Sequence, residues 1–328
     1  MSRIPLYTDS RRVKEAMKFN FRAILAGVGL VLGSAGVGAW ADPGLKVVVQ
    51  VSAEEESVAW PKPGSQARQA AQAAAASRFA EVLQAMDARS EPGAVSRTRY
   101  FLVAGDLSQE ERTRLGTILD GQVHRLVERF GGSINDEPFP SRLGIILMGS
   151  RDRFELLEAQ QFESFAPGPL AARLHLEGST LLIAANAAAP RGHFDHQLSR
   201  AMAQAWLYGI DTDRSLPTWA EQGFMTAVAW MSTPPGTGPG RREAIDSVRA
   251  GRELHELLAH EQDWTGGAID DARAGLLMER LLEQPETLLV WIKAVKAGRD
   301  WRIAFTEAFD STPEELAEYT ARWYRVND

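Results

Sequence analysis

The chain has 328 residues, 45% hydrophobic and 24% charged, and a formal net charge of −7, the composition of a globular protein of one or two domains. It contains no cysteine, which excludes a disulfide framework and a lipidated N-terminal cysteine. Its acidity makes it a poor nucleic-acid binder, so no nucleic-acid partner is expected.

Lys14, Lys18 and Arg22 precede an apolar run over 23–33, and Ala39-Trp40-Ala41 supplies small residues before Asp42. This is the pattern of a secretory signal peptide over 1–41, with Met17 as an alternative start, so the protein is expected to be exported, periplasmic or secreted. A membrane is expected as a partner only if this segment stays uncleaved. Its removal takes away six basic and two acidic side chains, leaving a net charge of −11. A chain of this length can bury an adequate core without disulfide staples.

Residues 42–96 read as a strand at 45–51, a Pro-rich linker and an Ala-rich helix over 65–89, whose stripe Phe79, Val82, Leu83 and Met86 lies in its second half. From 97 the pattern is regular. A strand is predicted over 98–104. Ser108 and Glu111 then form a capping box for a helix with Leu115, Ile118, Leu119, Val123, Leu126, Val127 and Phe130 on one face, ending at Gly131-Gly132. A buried strand over 142–148 follows, and Ser150 opens a helix around Phe154, Leu156 and Leu157. Two strands, 172–176 and 180–185, are separated by Glu177-Gly178. Beyond 232–240, read as a mobile loop beside a cleft, helices are predicted over 242–260, 269–284, 285–297 and 301–309. A last helix, capped by Thr312-Pro313-Glu314-Glu315, carries Leu316, Tyr319 and Trp323. The fold class expected is α+β, a small N-terminal sheet with packed helices followed by a mainly helical C-terminal half.

The stretch 193–225 is the centre of this order. Asp195 is a plausible N-cap. Leu198, Ala201, Met202, Ala205 and Trp206 form one apolar face, while His196, Arg200, Ala203 and Leu207 form the other. With both faces covered, His196 and Arg200 are placed in a cleft, four residues apart as metal ligands often are. Leu216-Pro217-Thr218-Trp219 opens the next helix. In His196-Gln197-Leu198-Ser199-Arg200 and Trp219-Ala220-Glu221-Gln222-Gly223 the segment resembles the gluzincin zinc metallopeptidases, specifically their small peptidase-MA-like members, over about 97–323. Their pattern is HExxH on one helix and a Trp-x-x-Glu-Gly turn supplying the third ligand.

That resemblance implies a peptidase-MA-like domain over 97–328 in which the metal chemistry has been lost. The former ligand positions are His196, Arg200 and Gln222, and the general-base position is Gln197. An amide is a poor zinc ligand and no base near neutral pH, and a guanidinium repels a dication. A register four residues later, on Arg200, Ala201 and Gln204, leaves no ligand at all. No cofactor is therefore expected, and His193, Arg200, Trp219 and Glu221 are the candidates to line the cleft.

Three other constellations compete. His255-Glu256-Leu257-Leu258-Ala259-His260 resembles the six-residue HExxxH variant, yet positions five apart on an unbroken helix lie about 140° apart around its axis. His193, His196 and Glu221 would make a salvaged metal site only if Glu221 turned by about 100°. Asp195, His196 and Ser199 lack the front-and-back geometry of a triad. Trp206, Trp219, Trp230, Trp291 and Trp301 sit on apolar stripes and read as core.

Three functional readings follow. One is an inactive pseudopeptidase binding a peptide or protein partner in the former cleft, with Arg200 attracting a carboxylate. A second is an active metal-dependent peptidase using non-standard ligands. The third is a structural envelope protein whose cleft has closed, with Arg200 paired internally to Glu221 or a neighbour.

Overall fold

The computed structural model describes residues 59–86, 95–133, 137–166, 168–178, 180–233, 236, 238–259, 264 and 267–327, all within the unit Pro43–Asp328. The signal peptide expected over 1–41 and the strand predicted at 45–51 lie outside them. No helix among the described residues is long and apolar enough to cross a membrane.

The architecture is α+β. A five-stranded sheet is formed by β1 (Ser96–Arg97), β2 (Phe101–Gly105), β3 (Leu143–Met148), β4 (Ala172–Glu177) and β5 (Thr180–Asn186), in the order β1-β2-β3-β5-β4. β2, β3 and β5 are parallel, with Phe101 opposite Leu143 and Ile146 opposite Ala184, while the two edge strands run antiparallel. Every residue of β3 is buried because both faces of the sheet are covered. Ile146 and Met148 face a core shared with Phe79 and Val82 of α1 (Gln66–Met86) and Phe154 and Leu157 of α3 (Arg151–Gln161). Leu143, Ile145 and Leu147 face the larger core, with Leu115, Leu119 and Val123 of α2 (Gln109–Arg129) and the helical half of the chain.

That half comprises α4 (Arg191–Gly209), α5 (Thr218–Trp230), α6 (Arg241–Arg249), α7 (Ala268–Leu281), α8 (Pro285–Lys296), α9 (Trp301–Phe309) and α10 (Pro313–Asn327). α5 packs between α4 and α7, and it lies close to α7 because two glycines permit it. A Cβ on Gly223 would stand 2.5 Å from the Ala274 carbonyl oxygen, and one on Gly275 2.8 Å from Thr226 Cγ2.

Several expectations need correction. The strand predicted over 98–104 is interrupted, because the Asp120 carboxylate accepts from the Arg99 and Tyr100 amides and the Thr98 hydroxyl, each at 3.0 Å, and so takes the donors a ladder would need. Ile118 and Leu156 are exposed, since each sits at the margin of its helix's buried stripe. The helix predicted over 242–260 stops at Arg249: Gly251 adopts φ +95°, and the Arg252 amide closes back on the Ser247 carbonyl at 3.0 Å. A short 3₁₀ segment, Leu254–Ala259, follows. On α10 the inward face is Ala317, Thr320, Ala321 and Tyr324, while Tyr319 is exposed. Of the 232–240 loop, Pro234, Pro235 and Thr237 lie outside the described residues, and the Trp230 indole donates to the Pro239 carbonyl at 3.0 Å. The capping box predicted at Ser108 and Glu111 forms, and the cap expected over 312–315 is a reciprocal pair of bonds between Thr312 and Glu315.

Candidate functional site

α4 begins at Arg191, one turn before the predicted cap, with Pro190 at the N-cap position. Asp195 is therefore inside the helix, paired with Arg191 at 2.8 Å. The apolar face is as expected, and Ala203 and Leu207 on the other face are buried too, so α4 is covered on both sides.

At its crossing with α5 sits Arg200. Nη2 donates to Gln222 Oε1 at 2.7 Å and to Asp271 Oδ2 at 2.9 Å, and Nη1 donates to the Thr226 hydroxyl. Asp271, on the first turn of α7, accepts through its other oxygen from the Trp264 indole at 3.1 Å. One turn on, Gln204 donates to Glu221 at 3.0 Å. The two side chains four apart on α4 that engage α5 are thus Arg200 and Gln204, the later of the two registers considered.

His196 lies one turn before Arg200 and is buried. Burial, with Arg200 and His193 adding like charge, lowers its pKa to about 4, so it is neutral at pH 7. Its Nδ1 has no hydrogen-bond partner among the described residues. His193 is half-buried and bonds through Nε2 to the Pro169 carbonyl, and Gln197 is half-buried. Ser199 donates to Gln122 on α2 at 3.2 Å and Asp195 pairs with Arg191, so neither is hydrogen-bonded to the His196 imidazole and no triad forms. Trp219 does not line a cleft. It is 1% exposed, its ring centroid 5.8 Å from those of both Trp291 and Trp301. The other predicted core tryptophans are buried as expected. His255 is exposed on the 3₁₀ segment and His260 lies outside the described residues.

Glu221 points its carboxylate at Gln204 rather than at His193 or His196. Burial raises its pKa, opposed by the Gln204 bond and by Lys296. Lys296, 1% exposed at the end of α8, donates to the Thr212 and Arg214 carbonyls at 2.7 and 2.9 Å and so fastens the α4–α5 connection. Burial lowers its pKa to about 8 despite Glu221, Asp213 and Asp211 nearby. Burial likewise raises the Tyr208 phenol, with the Glu221 charge acting in the same direction.

The zinc that the resemblance would bring does not fit these donors. The position between α4 and α5 holds a permanent cation, already bonded to the amide and the carboxylate nearest it, and zinc requires about three imidazole, thiolate or carboxylate ligands plus an open position.

Sequence reasoning missed Asp271, Thr226 and Lys296. Thr226 carries a signal, a lone polar residue in the apolar run Gly223–Trp230. Asp271 carries none, since an acid in a helix's first turn is ordinary. Compared with known proteins, the chain matches no family model and none of the curated proteins.

Proposed function

We propose that this chain is an exported, non-catalytic relative of the gluzincin peptidases, a structural protein of the cell envelope whose former metal site has become a cross-link between helices. The observation that carries this is that Arg200 is tied to α5 and α7 at once, through Gln222 and Thr226 on one and Asp271 on the other. A dication between two metallopeptidase helices ties them together by charge. Here a guanidinium makes the same tie, with Asp271 supplying the balancing carboxylate. The reading in which Arg200 captures a ligand carboxylate is weaker, because that ligand would have to displace Asp271. The ion pair joins Arg200 to Asp271 rather than to Glu221, the partner named first for a closed cleft.

Purification from the culture fluid or periplasm, followed by elemental analysis and digestion of a peptide library, tests the proposal. The expected result is an N-terminus at Asp42, substoichiometric zinc and no cleavage. Stoichiometric zinc together with chelator-sensitive hydrolysis would overturn it in favour of a metallopeptidase with non-standard ligands.

A further inference from the structure

Away from the α4–α5 crossing, the ends of α2, α5 and α7, the start of α6 and one face of α10 surround a hollow of about 290 Å³. Three arginines line it, Arg129, Arg241 and Arg280, in a chain whose net charge is −7. The protein holds each of them in place. Arg129 donates through Nε and Nη2 to the Leu282 carbonyl at 3.1 and 2.8 Å. Arg241 Nε is 3.2 Å from both oxygens of Glu279, which also accepts from the Tyr324 hydroxyl at 2.8 Å. Arg280 lies 4.6 Å over the Trp323 ring and donates through Nη1 to Glu283.

Donors remain unspent. Among the described residues Arg129 Nη1 and Arg280 Nη2 have no hydrogen-bond partner, and Arg280 Nε is buried without one. An acceptor that enters the hollow therefore meets N–H donors of two guanidiniums, Arg129 Nη1 and Arg280 Nη2, that no protein group uses, on side chains the protein already holds in place. Glu279 and Glu283 offset two of the three cations and leave one positive charge. A single negative charge fits this balance, whereas a dianion would meet two carboxylates. Ala227, Met231 and Trp323 line the same hollow and offer a surface for an apolar body. The guanidinium fork, held over Trp323, suits the planar oxygens of a carboxylate.

We infer that this hollow binds a small monocarboxylate with an apolar body, its oxygens held by Arg129 and Arg280 and its body packed on Met231 and Trp323. The volume limits the occupant to a short branched or aromatic acid, or to the last residue of a peptide with a free C-terminus. The inference does not depend on the state of Arg200.

Calorimetric titration of the full chain tests it, with 3-methylbutanoate, a leucine-terminated tetrapeptide as free acid and as C-terminal amide, and inorganic phosphate as probes. Binding of either free acid, with the amide at least about tenfold weaker, supports the site, and the tighter of the two acids identifies the source of the carboxylate. Arg280→Gln should weaken that binding at least about tenfold. Glu283→Gln, at an exposed side chain whose loss frees the Arg280 fork, should strengthen it severalfold. No binding by either acid, equal binding of acid and amide, phosphate binding as tightly as the acids, or no gain from Glu283→Gln would overturn the inference.

Discussion

Arg200 on α4 and Asp271 on α7 are joined by an ion pair of 2.9 Å that links two helices, each packed against α5. Their side chains are only 12% and 22% exposed, so removing one partner strands the other in a poorly solvated place. Arg200→Met should therefore cost about 2–4 kcal/mol, more than a surface pair is worth. Asp271→Asn should cost less, and the double variant should fall short of the sum by at least about 1 kcal/mol. Urea denaturation of the four proteins measures the cycle. A loss under about 0.5 kcal/mol for Arg200→Met would place the pair in the surface class.

His196 makes the fold acid-sensitive. Its folded pKa of about 4 lies below the ordinary value of 6.5, so between these limits the unfolded chain binds the extra proton. Stability from this group is fully present above pH 6.5 and is lost as pH falls towards 4, by an amount on the order of 3 kcal/mol. Melts of the wild type and of His196→Gln from pH 7.5 to 4 isolate it from the titrating carboxylates. The difference between the two proteins should narrow as pH falls. A constant difference would mean that the imidazole is not desolvated.

The succession of elements was legible from periodicity and capping, because Ser108, Ser150 and Pro285 mark helix starts by local chemistry that tertiary packing does not override. What escaped depended on partners distant in sequence. Asp120 interrupts the strand predicted over 98–104 from a helix twenty residues away. The helix predicted to 260 failed for a legible reason, since Gly251 is a stop that the apolar pattern masked. At the candidate site, the crossing of two helices could be read from 193–225, and so could Arg200 and Gln222 as neighbours, at 2.7 Å. The balancing acid could not, because Asp271 enters from α7 and no local pattern sets it apart from Asp270. Trp219 was misassigned to the cleft for the opposite reason: the family pattern placed it there, while its own apolar neighbourhood placed it in the core.

Gly223 sets how closely α5 approaches α7. In an open helix Gly→Ala gains up to about 1 kcal/mol. Here the added methyl would lie 2.5 Å from a backbone oxygen of α7, which cannot move without the helix, so overpacking of about 1–3 kcal/mol decides the sign. Gly223→Ala should lower the melting temperature. Gly192→Ala, with nothing within 4 Å, should leave it unchanged or raise it. Stabilisation by Gly223→Ala would mean that the two helices pack more loosely than described.

The register of the motif proposed for this crossing can be decided by building it. Arg200 and Gln204 both engage α5, at Gln222 and Glu221, so Arg200→His with Gln204→His and Gln222→Glu would place two imidazoles and two carboxylates at one crossing, a donor set that suits zinc. The triple variant should take up one zinc ion, lose it to a chelator, and gain about 2.7 kcal/mol of stability at a hundredfold excess over its Kd. Arg200→His alone pairs the new imidazole with His196 instead, and it should take up none, because two imidazoles with an amide still at Gln222 fall short of the three or so ligands zinc requires. Elemental analysis after gel filtration reads both. Zinc in the single variant would move the motif back to 196–200. A folded triple variant without zinc would mean that α4 and α5 do not cross at metallopeptidase geometry, and the kinship proposed from the motif would fall with it.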